Sequence, residues 1–142
     1  MTHRRGLRTL AVLGIGMAIG VAGGRVALGH PDAGAAIKPV LAEKLANVPG
    51  SSLSAVVVSY EPGGKSPVHH HAGSVFAYVL SGAIRSQSAA TGPARVYQTG
   101  EAFFEPVGSA HLVSENASAT APASLLAVFV AEDGATLTTL DK

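Results

Sequence analysis

The stretch Glu61-Pro62-Gly63-Gly64-Lys65-Ser66-Pro67-Val68-His69-His70-His71-Ala72-Gly73-Ser74-Val75-Phe76-Ala77-Tyr78-Val79-Leu80-Ser81-Gly82 decides how the whole chain is read. Turn chemistry brackets it at both ends, Glu61-Pro62-Gly63-Gly64 before and Ser81-Gly82 after, and the apolar run at residues 75–80 is of strand length. In a strand, residues two apart share a face at roughly 6 to 7 Å, so the imidazoles of His69 and His71 can converge on one ion. His70 then faces the other way, as an exposed polar strand residue.

Working outward, residues 53–60 alternate Leu53, Ala55, Val57 and Ser59 against Ser54, Val56, Val58 and Tyr60. Further apolar runs occupy residues 83–87, 95–98, 102–105, 111–114 and 125–130, punctuated by Thr91-Gly92-Pro93, Thr99-Gly100 and Pro106-Val107-Gly108. Short strands with turn signals every 8 to 12 residues or so predict an all-β sandwich or barrel rather than βαβ units. Residues 37–48 read equally as a short strand or a short helix, with Pro39 against a helix running through. Residues 31–36 read as a linker, and residues 86–94, 116–124 and 134–139, rich in small side chains, as loops or frayed ends. Phe76, Tyr78, Phe103 and Phe129 are expected to pack the barrel. Tyr78 lies an odd number of steps from His71, which puts it on the opposite face if the strand is unbroken, and Ala72-Gly73 leaves that register open. Asn116-Ala117-Ser118 fits a glycosylation sequon, a tripeptide common enough by chance to carry little weight.

A length of 142 residues suits one domain, and 47% hydrophobic with 13% charged residues excludes a charged disordered tail. Residues 1–8 are basic and residues 9–24 are an unbroken apolar or small run, the order of a secretory signal. Residues 1–30 are therefore expected to be a signal peptide or a signal anchor, and residues 31–142 a single β-barrel domain, exported to the periplasm or secreted. A membrane would enter only through an uncleaved segment, since sixteen residues with several glycines is short for a span. Arg4-Arg5 followed by Leu7 resembles a twin-arginine export signal; two ordinary n-region charges read as well. The formal charge is +1 overall, but from residue 31 onward six basic residues (Lys38, Lys44, Lys65, Arg85, Arg95, Lys142) face nine acidic ones, giving −3. Neither balance provides the clustered basic face that nucleic-acid binding needs.

Cysteine is absent, so disulfides, thiolate catalysis and thiolate metal ligation are excluded together. Any metal must be held by histidine and carboxylate. Beyond the three consecutive histidines, only His30 and His111 lie in or beside the expected fold. Three neutral imidazoles with open coordination positions suit a divalent transition metal, Fe, Mn, Ni, Cu or Zn, in a reactive rather than a closed structural site.

The surroundings of these histidines resemble the cupin family, whose first motif runs Gly, five residues, His-x-His, three or four residues, Glu, six residues, Gly. Gly63, His69, His71 and Gly82 occupy its positions. The second motif runs Gly, five residues, Pro-x-Gly, two residues, His, three residues, Asn; Gly100, Pro106, Gly108 and His111 match it, with Asn116 one residue late. The resemblance spans roughly residues 37–130. It implies a small double-sheet β-barrel, the cupin jelly roll, with His69, His71 and His111 as metal ligands and a small-molecule substrate or ligand in the barrel. It leaves the oligomeric state open, with a homodimer possible because cupins commonly pair through their sheets.

The sequence departs from the family at Val75, which stands where the family's glutamate ligand belongs. Losing that carboxylate leaves the first shell at the metal's full +2 charge, a stronger Lewis acid that favours an anionic fourth ligand. Glu105, before Pro106 at the end of a strand, is the substitute to consider, as fourth ligand or as a general base with a raised pKa; the alternative is an edge residue in water. Three functions remain open: a metal-dependent enzyme on a small organic molecule, oxygenase-type first because three-histidine cupins include dioxygenases, with isomerase or lyase activity in the same superfamily; a non-catalytic metal- or ligand-binding sensor; and a scaffold without chemistry.

Overall fold

Turn residues cut the chain into short pieces, and valine, alanine, serine and aromatic residues in alternation make each piece a half-buried strand. The computed structural model describes residues 34–142, and the export-segment reading of residues 1–30, with His3, His30 and the arginine pair, lies outside the described residues. Among the described residues the strands are β1 (Ala35–Lys44), β2 (Ser51–Tyr60), β3 (Lys65–Ser66), β4 (His69–His71), β5 (Ser74–Ser81), β6 (Ala83–Ser88), β7 (Arg95–Gln98), β8 (Ala102–Glu105), β9 (Ala110–Asn116), β10 (Ala123–Glu132) and β11 (Thr138–Leu140). No helix among them is long and apolar enough to cross a membrane.

Two antiparallel sheets result, one ordered β1-β2-β10-β5-β8 and the other β11-β4-β9-β6-β7, with β3 added against β9. This is the double-sheet all-β architecture expected from the sequence. The core lies between the sheets and follows the two-residue period: Val75, Ala77 and Val79 of β5 and Leu125, Ala127 and Phe129 of β10 all point inward. Each fully buried valine of this kind is worth roughly 1.5–3 kcal/mol of hydrophobic stabilisation.

Several local expectations are corrected. Within residues 37–48, residues 37–44 resolve as strand and residues 45–48 as part of the turn that follows, and β1 begins at Ala35, inside the expected linker, with its pairing to β2 interrupted by a bulge between Pro39 and Leu41. An edge strand tolerates proline because one side of its backbone needs no ladder partner. Phe76 and Tyr78 do not pack the barrel: the inward parity of β5 belongs to the valines, so both rings lie on the outer face. Phe129 is buried in the core and Phe103 packs against it. Ser86 and Ser88 belong to β6, Asn116 closes β9 and Ala123 opens β10, so the expected loops at residues 86–94 and 116–124 are shorter than read. Residues 138–140 are no frayed end but β11, which pairs with β4 and closes one edge of its sheet. Asn116, in the sequon, is buried and spends its amide on the Glu61 and Ala121 carbonyls.

Candidate metal centre

Strands β4 and β9 pair antiparallel with His69 directly opposite His111, and His71 lies two residues along β4 on the same face. All three histidines are buried. Their ring centroids lie 4.7 Å (His69 to His71), 5.0 Å (His69 to His111) and 6.4 Å (His71 to His111) apart. One ligand nitrogen from each lies within 4.8 Å of the other two. His70, on the other face, is half exposed and meets Asp141 at 2.6 Å.

Backbone carbonyls fix two of the tautomers. His69 Nδ1 is 2.6 Å from the Pro67 carbonyl, and His71 Nδ1 is 3.0 Å from the Leu137 carbonyl and 3.1 Å from the Thr138 hydroxyl. A carbonyl only accepts, so each Nδ1 carries the proton and each Nε2 keeps its lone pair for a metal. Burial favours the neutral ring in both, and it pushes His71 down to about 4 even with Glu105 nearby. His111 is held differently: its Nε2 meets the Ser86 hydroxyl at 2.8 Å, which turns Nδ1 toward Glu105.

Glu105 ends β8 in the other sheet and lies opposite Val75 of β5. Only 3% of it is exposed. Its Oε2 is 3.0 Å from His111 Nδ1 and 3.8 Å from His71 Nε2. Burial alone would raise its pKa, but His111, with His71 and His69 further off, holds the carboxyl below its ordinary value. The raised pKa considered from the sequence is thus replaced by a lowered one. The contact with His111 lacks hydrogen-bond direction, so Glu105 Oε2 and His111 Nδ1 are both buried without a hydrogen-bond partner. Such orphaned groups cost about 1–3 kcal/mol each, more when charged, unless something sits between them. Three imidazole nitrogens within 4.8 Å of one another, with a carboxylate oxygen close to the His111 and His71 rings, are a donor set for a divalent transition metal, and the orphaned atoms fit one.

The four side chains help line a cavity of about 80 Å³ between the sheets. Val56, Val58, Leu125, Ala127 and Phe129 make its apolar wall, and no lysine or arginine lines it among the described residues. The Tyr60 hydroxyl adds a polar spot, hydrogen-bonded to Ser114 at 2.8 Å and Ser66 at 2.9 Å.

The structure brings His69, His71, His111 and Glu105 together at one place. It also adds residues that spacing did not single out: Ser86, Leu137 and Thr138, which orient the imidazoles. Ser86 carried a signal, since it shares the inward parity of Ile84 and Ser88 and a polar residue there needs a partner. The Leu137 contact runs through backbone and left no trace in residue type.

Comparison with known proteins gives a family model described as a cupin domain, matching residues 56–129, more than half of the chain. Among solved structures, the DMSP lyase DddQ from Ruegeria pomeroyi DSS-3 is 25% identical with a TM-score of 0.53, over 62% of this chain and 42% of that one. An oxalate oxidase in complex with glycolate has 23% identity and a TM-score of 0.58, over 75% and 55% of the two chains, a likeness of fold. The oxalate decarboxylase of Bacillus subtilis, described with Mn(II) centres, has 27% identity and a TM-score of 0.52, over 62% and 23%. The chain matches about half or less of the length of these structures. No curated protein matches the sequence significantly.

Proposed function

This chain belongs to the cupin family, and we propose that it is an exported enzyme acting on a small organic molecule, with His69, His71 and His111 holding a divalent transition metal. The observation that carries the proposal is the convergence of the three buried imidazoles, two with lone pairs fixed by backbone carbonyls, beside a buried carboxylate with no other partner. A metal bound there would supply Lewis-acid polarisation and open positions for substrate or water. Export rests on the order of charge and hydrophobicity in residues 1–30.

The chain's own residues limit the substrate. Without a cation in the lining, a substrate's negative oxygen has no side chain to pair with, and its body packs on Val58, Leu125 and Phe129. The Tyr60 hydroxyl offers one hydrogen bond at the wall. A small cavity between the sheets favours small organic molecules.

Oxygenase-type chemistry is the first reading, supported by three imidazole ligands that converge beside an apolar cavity wall. A lyase-type reaction is the second, and the observation favouring it is Glu105, an ionised carboxylate able to take a proton from a bound substrate. The two similar structures at 25% and 27% identity are a lyase and a decarboxylase. Metal analysis of protein from its native compartment, followed by turnover of candidate diketones, thiols, phenolics and small carboxylic acids with and without oxygen, tests both. Substrate-dependent oxygen uptake supports the first, and turnover without oxygen the second. Stoichiometric metal with no turnover of any kind would replace the enzyme by a binding or sensing module.

A further inference from the structure

We infer that Glu105 is the fourth protein ligand of the metal, supplied from β8 into the space that a carboxylate at position 75 of β5 would fill. The inference rests on the three-histidine reading above and adds a ligand that the family's motif does not contain. Val75 and Glu105 are paired residues on neighbouring strands, and both are buried on the inner face, 1% and 3% exposed. Side chains directly opposite each other in an antiparallel pair have Cβ atoms about 4.5–5.5 Å apart, so a carboxylate reaches the same region from either strand. One register step would have turned Glu105 out into water with Phe104.

The distance from Glu105 to His111 suits coordination of one ion, and that to His71 is somewhat longer than a tetrahedral pair. Two donors each about 2.1 Å from one metal stand about 3.0 Å apart at right angles and about 3.4 Å apart in a tetrahedron. Glu105 Oε2 lies 3.0 Å from His111 Nδ1 and 3.8 Å from His71 Nε2. A carboxylate hydrogen-bonded to histidine as a mere structural prop would show a directed N–H contact; here both atoms lack one. No lysine or arginine lines the cavity beside this buried carboxylate, and a divalent cation held by the histidines would give it a partner. The assignment also restores the charge balance: with one carboxylate the first shell totals +1 instead of +2.

The test uses chelator-treated full-domain protein titrated with Co(II), read by absorbance and by thermal midpoint, in wild type, Glu105→Val, Glu105→Gln and the exchange Val75→Glu/Glu105→Val. Glu105→Val is expected to bind Co(II) at least tenfold more weakly with an altered visible spectrum, and the exchange to recover most of the affinity. Without metal, Glu105→Val should melt higher than wild type, because an apolar side chain replaces a buried carboxylate whose Oε2 lacks a hydrogen-bond partner; with saturating Co(II) the order should reverse. That reversal separates a ligand from a packing residue. Unchanged Co(II) affinity and spectrum in both single variants would overturn the inference while leaving the histidine site standing, whereas wild type that takes up no Co(II) would overturn both.

Discussion

The His71 ring and the Leu137 carbonyl are joined by a 3.0 Å hydrogen bond across 66 positions of sequence, so the last strand of the chain sets the tautomer of a residue in the metal centre. Leu137 is itself buried, and β11 behind it pairs with β4 through Thr138, Thr139 and Leu140, opposite His71, His70 and His69. The C-terminal tail is therefore part of the site.

Deleting residues 137–142 should leave the two sheets folded, since β11 is an edge strand, but lower Zn(II) affinity at least tenfold by freeing the His71 ring and opening the cavity beside Leu140. Circular dichroism with calorimetric titration checks it. A truncated protein that binds Zn(II) as tightly as the full domain would remove β11 from the account.

Ser86→Ala takes the 2.8 Å hydroxyl partner from His111 Nε2 and leaves that nitrogen buried and free to compete for the metal. Partners of this kind are worth about 10- to 100-fold in metal affinity, and a loss in that range is expected with little change in fold. Titration with Zn(II) at fixed pH measures it; no change would mean that the ring is held by packing alone.

Acid should destabilise the metal-free protein. The His71 pKa falls from 6.5 to about 4 on folding, chiefly through burial, so between those values the unfolded chain binds more protons than the folded one. Stability then rises with pH across that window, by on the order of 3 kcal/mol for a fully expressed shift. His69, lowered by burial, acts in the same direction. Glu105, held below 4.5, adds stability that is present above that value and lost as pH falls. Urea unfolding of chelated protein at pH 5 and pH 7 should give the higher stability at pH 7, and equal values would contradict the neutral buried rings.

Gly73 joins the histidine strand to β5. A Cβ on it would clash with the Val130 carbonyl and crowd Ala131, so backbone and not a flexible side chain would have to yield. Gly73→Ala should cost about 1–3 kcal/mol of stability by chemical unfolding, with weakened metal binding as β4 is displaced. Gly50→Ala meets nothing within 4 Å, and its positive φ of 81° alone sets a smaller cost, which makes it the comparison.

The fold was legible where alternation and turn chemistry agree. β7 and β8 match the expected runs at residues 95–98 and 102–105, and β10 extends its run outward at both ends because Ala123 and Ala131 keep the inward parity. Alternation did not reveal which parity faces in: on β5 the larger aromatics Phe76 and Tyr78 lose the interior to Val75, Ala77 and Val79, whose face joins Ile84 and Phe129 in the core. β11 escaped notice because three residues are too few to show a period. At the site, spacing brought out the histidines, but the placement of Glu105 depends on its pairing with Val75, a contact between strands 30 positions apart. Ser86 and Leu137 act through pairings of the same non-local kind.

The metal centre is tested by one titration: chelator-treated protein with Zn(II), wild type against the His69→Ala/His111→Ala double variant, by calorimetry with the fold checked by circular dichroism. One ion per chain is expected in wild type, with loss of specific binding in the folded double variant. Wild type that takes up no stoichiometric metal, or a double variant that binds as tightly, would contradict it.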